Sequence, residues 1–391
     1  MITVEEAQKL VLSLAHPARV ETVPLAAARG RVLAEPVTAR LTQPPFDSSA
    51  MDGYAVRSAN LPGPLRVIGT AAAGNPWQGE AEPGTAVRIF TGAPVPAGFD
   101  RVVIQENVAR DGDTITVTTP SDNLNIRKQG NDFSEGSAFF PRRPLTASDI
   151  GLIAAMNLPE VAVAARPRVF IIAGGDELVP PGTTPKSGQI ISSNDLAIAA
   201  LAEEAGADVT ILPIARDTED SLRDRFQAAR DGDLIVTIGG ASVGDHDLVG
   251  KVAAELGMER AFYKLAMRPG KPLMAGKIDQ AAMLGLPGNP VSSIVCAKLF
   301  MQHLITRMQG LDGALRPRKA RLGTDLPPEG DRQHYLRATL SEGEDLPEIA
   351  PFPDQDSARL KLLADADALL IRPAHDRPRK AGEVVDFIPL R

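Results

Sequence analysis

The sequence predicts a multidomain α/β plus β protein: a doubly wound, mostly parallel α/β domain, an inserted β domain, a helical/β linker domain split around that insert, and a small terminal β domain. Three observations carry this expectation. A chain of 391 residues exceeds a single domain at roughly 100–200 residues each. Short apolar runs alternate with helical stretches from residue 168 to 308, and parallel strands need such crossovers. Between residues 41 and 141 the texture changes to short β-branched runs cut by Gly, Pro and Asp, the pattern of a compact β domain.

Taken in chain order, Thr3 and Glu6 stand at capping-box spacing before Val4, Ala7, Leu10, Val11 and Leu14, which recur at helical period. The insert then offers strands at 65–68, 86–90, 101–107 and 114–118, with Asp111 and Gly112 marking a hairpin turn. A polar stretch at 122–135 closes it. Thr146 and Asp149 repeat the capping spacing ahead of Ile150, Leu152 and Ile153, and an apolar run follows at 161–165. Strands at 169–173, 208–212, 234–238 and 282–286 alternate with helices at 195–205, 219–230, 247–256 and 290–308. Strand-like runs at 336–340, 368–371 and 384–388 lie among Pro-rich segments and end the chain. The division expected is 1–45 with 136–166 as linker domain, 46–135 as insert, 167–315 as α/β domain and 316–391 as terminal domain.

Composition excludes several classes. Lys and Arg number 42 against 49 Asp and Glu, a net charge of −7, so no global positive field is available to hold a nucleic-acid backbone. No run approaches the 18 or so uncharged apolar residues of a membrane span. One cysteine, Cys296, allows no internal disulfide. Glu5 and Glu6 stand where a secretory leader carries positive charge, so a cytoplasmic protein is expected.

In open α/β sheets, ligands bind beyond the carboxyl ends of the strands. Gly174, Gly175, Asp176 and Glu177 follow the first strand. Gly239, Gly240, Ala241, Ser242, Val243, Gly244, Asp245, His246 and Asp247 follow the third. The glycines let backbone amides approach an anion, and the acids suit a hard divalent cation. Ser192, Ser193 and Asn194 open a helix between them. After the last strand come Pro287, Gly288, Asn289, Pro290, Val291 and Ser292, in which Asn289 is expected to cap the helix and Pro290 to occupy its first position. Each turn alone reads as an ordinary connection. Their shared edge sets them apart.

Lys264, Arg268, Lys271 and Lys277 form a basic stretch with no Asp or Glu from 260 to 277, and Pro269 with Gly270 turns the chain there. A solvated charged hairpin is the alternative reading. The insert contributes three polar turns, at 47–54 with Asp52, at 90–94 with Thr91, and at 130–133 with Asp132. Histidines at 16, 246, 303, 334 and 375 show no zinc spacing, Cys296 falls in an apolar helical run, and neither GxGxxG nor GxxxxGK[ST] occurs. The sum is acids for a cation, amides and bases for an anion, and no evident covalent catalyst.

These residues resemble the MoeA family, which is related to the E domain of gephyrin. The resemblance runs through 46–56 (FDSSAMDGYAV), 89–94 (IFTGAP), 130–133 (GNDF), 174–178 (GGDEL), 188–194 (GQIISSN), 239–247 (GGASVGDHD), 267–272 (MRPGKP) and 285–292 (GLPGNPVS), in family order. It implies a MogA-like α/β domain, a small β-barrel-like terminal domain and an elongated homodimer whose cleft joins the α/β domain of one chain to the insert of the other. The implied activity is that of a molybdopterin molybdenumtransferase. Adenylylated molybdopterin is hydrolysed with Mg2+, and molybdate enters the dithiolene to give molybdenum cofactor and AMP.

Carried over by position, Asp52, Asp132, Glu177 and Asp247 are implied as catalytic, with Glu177 and Asp247 as metal ligands. Thr91, Asn194, Gly239, Gly240, Ser242, Lys264, Arg268, Lys271, Pro287, Gly288, Asn289, Pro290 and Ser292 are implied as substrate-binding. A molybdopterin adenylyltransferase and apo-molybdoenzymes are the implied partners. A non-catalytic cofactor carrier or gephyrin-like scaffold is the alternative function. The chain departs from the family at Arg268, where many relatives carry Lys, and at 355–362, which lacks a Ser pair common in relatives.

Overall fold

The computed structural model describes residues 1–240 and 248–391. The chain divides into two compact units, Met1–Glu21 with Ala164–Arg391, and Thr22–Val163.

Within Thr22–Val163, the insert forms a sheet ordered Arg101–Ile104, Gly53–Val56, Thr85–Ile89, Leu65–Ala71, Thr114–Val117, Val108–Asp111. Alternate residues point to opposite faces of a strand. Ala55, Val87, Ile89 and Val102 accordingly fill one core, while Tyr54, Val56, Ala86, Val103 and Ile115 fill another. The hairpin expected near Asp111 is present, with Asp111 paired to Thr114 and Gly112 at φ +56° in the two-residue loop between them. The 101–107 run shortens to a strand at Arg101–Ile104, then turns as a 3-10 helix over Gln105–Asn107. Helix Ala147–Ala155 begins at the full Thr146/Asp149 capping box, and its Ile153 packs with Leu25, Leu33, Val161 and Val163.

In the other unit, helix Val4–Ser13 starts at the Thr3/Glu6 capping box and buries Val4, Ala7, Val11 and the following Leu14 in a core with Leu304, Ile305 and Met308. The α/β sheet is ordered Asp208–Ile211, Arg168–Ala173, Leu234–Ile238, Ala281–Leu286, Met274–Ile278, Glu259–Tyr263. The first four strands are parallel; the last two are antiparallel additions absent from the sequence expectation. Their runs, MAGKI and ERAFY, mix charge and glycine with apolar residues, so they lack the apolar continuity of the central strands. Helices cover both faces. Ile198, Val291 and Val295 pack with Val169, Ile171 and Val236, while Leu222, Phe226, Val249 and Val252 pack with Ile172 and Ile235. The helix after strand Ala281–Leu286, the last of the α/β domain, runs as Pro290–Cys296 and Gln302–Met308 with a π-helical segment, Ala297–Met301, between them.

The terminal domain closes a small barrel. Its sheet is ordered Met267–Arg268, Gln333–Ser341, Glu348–Pro351, Arg318–Leu322, Val384–Pro389, Ala368–Arg372, and the last strand pairs back on Gln333–Ser341. Closure removes exposed strand edges. One strand of this sheet, Met267–Arg268, comes from the α/β domain.

Candidate functional site

Parallel strands Arg168–Ala173, Leu234–Ile238 and Ala281–Leu286 are neighbours, so their carboxyl ends open on one edge. The turns there interlock through the backbone. Gly174 N–H donates to Ile238 O and Gly239 N–H to Leu286 O, both at 3.1 Å. Gly239 has φ +84°, and a Cβ on it would lie 3.0 Å from Gly174 O. A Cβ on Gly288 would in turn lie 3.6 Å from Gly239 Cα. Asn194 Nδ2 donates to Gly288 O at 2.7 Å, tying the helix that opens at 194 into the same edge. Asn194, Gly239 and Gly288 are thus brought together, with Gly240 the next residue in the chain. Asn194 Oδ1 and Thr237 Oγ1 are buried and have no hydrogen-bond partner among the described residues. Buried polar atoms normally find one, and Asn194, at the edge itself, keeps its Oδ1 available there. Ser242 and Asp247, with Asp245 and His246, lie outside the described residues.

Glu177 is exposed, and its carboxylate lies over Gly175, where a Cβ would meet Oε2 at 2.5 Å. Beside it in the chain, Asp176 exchanges backbone-to-carboxylate hydrogen bonds with Asp217: Asp176 N–H to Asp217 Oδ2 at 3.3 Å, and Asp217 N–H to Asp176 Oδ1 at 3.4 Å. Sequence reasoning does not single out Asp217. A signal for it exists, because it follows Asp208–Ile211, the fourth parallel strand, at the same sheet edge.

Lys264, Arg268 and Lys271 occupy the connection between antiparallel strands Glu259–Tyr263 and Met274–Ile278, while Lys277 lies within the second strand. Lys264 N–H donates to Leu273 O and Leu265 N–H to Lys271 O, both at 3.1 Å. Lys264 Nζ sits 5.2 Å from the Tyr263 ring centroid. Gly270, at φ +104°, presses so closely on the helix after strand Ala281–Leu286 that a Cβ would come within 2.5 Å of Cys296 Sγ and 4.0 Å of Ser292 O. The Arg268–Lys271 loop is therefore seated against the helix that begins at Pro290 and carries buried Ser292. Arg268 itself is exposed and stands in register with His334 of the barrel.

Pro290 takes the first helical position, as expected. Asn289 holds the N-cap position, but its side chain does not cap the helix: Nδ2 donates instead to Ser357 Oγ at 3.2 Å. Val291 N–H donates to Ser357 O, also at 3.2 Å. The terminal domain thus supplies the partner that local sequence assigned to Asn289, from within the 355–362 segment.

In the insert, Asp52 precedes strand Gly53–Val56 and Thr91 follows strand Thr85–Ile89; Gly53 pairs with Ile89, so the two polar residues meet. Asp52 Oδ1 accepts from both Thr91 N–H and Thr91 Oγ1, each at 2.8 Å. These bonds, first from the backbone and then from the hydroxyl, hold the Asp52 carboxyl below the usual carboxylate range. Asp132 is exposed in another loop, anchored through its N–H to Gln43 O at 3.0 Å.

Chemically, the α/β edge offers three cationic side chains, Lys264, Arg268 and Lys271, to oxyanions, with the exposed Glu177 carboxylate for a hard cation. Among the described residues, no three His, Cys, Asp or Glu side chains gather as a metal cage. Burial pushes the Cys296 thiol far up, which removes it as a nucleophile.

Comparison with known proteins agrees along the whole chain. Residues 2–157 match the MoeA N-terminal region (domain I and II), 170–307 a probable molybdopterin binding domain, and 319–390 the MoeA C-terminal region (domain IV). A molybdopterin molybdenumtransferase of Nostoc sp. is 36% identical over 386 residues, covering 95% of this chain and 88% of its own length. One from Haemophilus influenzae is 38% identical over 317 residues, covering 79% and 78%. A solved molybdopterin biosynthesis MoeA protein from Pyrococcus horikoshii superposes with a TM-score of 0.84 at 30% identity, covering 100% of this chain and 99% of that one.

Proposed function

The chain belongs to the MoeA family and is a molybdopterin molybdenumtransferase, inserting molybdenum into molybdopterin; we propose that its substrates are adenylylated molybdopterin and molybdate, that it requires Mg2+, and that it releases AMP. The observation that supports this reading is a single sheet edge where the turns at Gly174, Gly239 and Gly288 interlock, with the basic loop packed through Gly270 on the helix that begins at Pro290. Such an edge suits a substrate rich in phosphate and an oxyanion co-substrate.

In this proposal Lys264, Arg268 and Lys271 neutralise phosphate and molybdate oxygens. Asn194, Gly239, Gly240, Ser242, the Pro287–Pro290 turn and Ser292 position them. The Thr91 bonds favour the carboxylate form of Asp52, a hydrogen-bond acceptor, and Asp52 or Asp132 orients attacking water or an oxo group. Glu177 and Asp247 hold Mg2+. An ion of this kind is usually bound by one or two carboxylates together with substrate phosphates, and exposed Glu177 fits that donor set. When bound, it would offset charge on the phosphate bridge as AMP departs.

We further propose a cytoplasmic homodimer in which Asp52, Thr91 and Asp132 serve the α/β site of the partner chain, receiving substrate from an adenylyltransferase and passing product to apo-molybdoenzymes. Among the described residues, no helix is long and apolar enough to cross a membrane.

The test is AMP release from adenylylated molybdopterin, with and without molybdate and Mg2+, in wild type, Asp52→Ala and Asp247→Ala. Release that needs both ions and is lost in the variants supports the reading. Tight binding without release, unchanged by the substitutions, would make the protein a carrier.

A further inference from the structure

We propose that the exposed ring of Phe90 is a stacking platform for a planar fused nitrogen heterocycle of the substrate, backed by the guanidinium of Arg88. The proposal deepens the functional reading above, because it takes Asp52 and Thr91 to face the substrate.

Phe90 stands between strand Thr85–Ile89 and Thr91, and 39% of its surface is exposed. A large apolar ring next to a polar cluster is costly to leave in water. Arg88 Cζ lies 4.7 Å from the Phe90 ring centroid and 5.1 Å from that of Tyr54, so the guanidinium is layered against both rings. Arg88 is fixed by donating to Gly53 O at 3.0 Å and to Gln105 Oε1 at 2.5 Å. The backbone around the ring is pinned as well: Phe90 N–H donates to Ala71 O at 3.1 Å, Ala93 N–H to Phe90 O at 3.0 Å, and Gly92 N–H to Ser49 O at 2.9 Å.

The platform is therefore built before any ligand arrives, which lowers the ordering cost of binding. The open face of a ring held in this way suits offset stacking with another flat ring. The next residue, Thr91, donates to the Asp52 carboxylate, so a fixed acceptor belongs to the same turn. A pterin and an adenine share this chemistry, and the substrate of the proposed reaction carries both.

The experiment uses the full chain. Phe90→Ala is expected to raise KM for adenylylated molybdopterin about tenfold, through loss of one stacking contact, with kcat within about twofold and Phe90→Tyr restoring wild-type behaviour. Phe90→Trp places a fluorophore in the platform. Its added emission, measured over the Trp77 background of wild type, is expected to be quenched saturably by AMP or by 6-hydroxymethylpterin and not by ribose 5-phosphate; whichever ring quenches is the one that stacks. A Phe90→Ala enzyme with unchanged KM, or an introduced indole whose emission is indifferent to both rings, overturns the proposal. So does a Phe90→Ala variant that changes oligomeric state while KM holds, which would make the ring a subunit contact. Failure of wild type to release AMP would overturn the functional reading, and the fluorescence titration of Phe90→Trp would still judge the platform.

Discussion

Asp52 and Thr91, 39 positions apart, are joined by two hydrogen bonds to a single carboxylate oxygen, one from the N–H and one from the hydroxyl. Both favour the ionised form, so the carboxylate keeps its charge as pH falls below the usual range. Thr91→Val removes the hydroxyl donor and raises the Asp52 pKa. Charge is then lost at higher pH, so the acid limb of the pH–rate profile for AMP release should move upward. An unmoved limb would show that the ionisation of Asp52 does not govern turnover.

Arg268 is exposed on a loop held from two sides, by Gly270 against Cys296 and by strand pairing with His334. If its charge is used in the transition state, Arg268→Ala should lower turnover on the order of 10²-fold or more. Arg268→Lys keeps the charge without the planar fork and should fall between the two. Near-normal turnover in Arg268→Ala, measured across a molybdate titration, removes the residue from the site.

Gly239 combines a left-handed backbone with close packing, since a methyl group on its Cα would lie 3.0 Å from Gly174 O. Gly239→Ala should destabilise the protein by about 1–3 kcal/mol. Gly84→Ala is the control, with a similar φ of +74° and nothing within 4 Å of its Cβ position, where backbone strain alone costs roughly 1–2 kcal/mol. Urea denaturation compares them. Equal losses would show that the Gly174 contact relaxes freely.

Asp149 is buried at the start of helix Ala147–Ala155, accepting from Arg143 Nη2 at 2.9 Å and from Thr146 N–H and Oγ1, both at 2.7 Å. The Arg143 bond, outweighing burial, pulls its carboxyl far below the usual range. A depressed folded pKa gives stability that is present above the unfolded carboxylate pKa and lost as pH falls below it. Asp149→Asn should therefore lower stability at pH 7, by about 1–2 kcal/mol if the helix cap dominates, and narrow the loss between pH 7 and pH 3. An equal loss between those pH values in variant and wild type would rule out this linkage.

The four parallel strands, the two capping boxes and the Asp111 hairpin were legible in the sequence because each rests on local signals: apolar continuity, spacing of three residues, or a turn dipeptide. The glycine turns were legible as a group, since any strand ending in a doubly wound sheet opens on the ligand edge. Only the tertiary structure decided that Met267–Arg268 joins the barrel sheet, that Asn289 turns from its own helix to Ser357, and that Asp217 meets Asp176. Strand pairing and hydrogen bonding between distant residues depend on which surfaces the fold brings within about 3 Å, and no local periodicity encodes that. The stacking of Arg88 between Tyr54 and Phe90 belongs to the same class: the residues are ordinary in the sequence, and their chemistry arises where adjacent strands set them face to face.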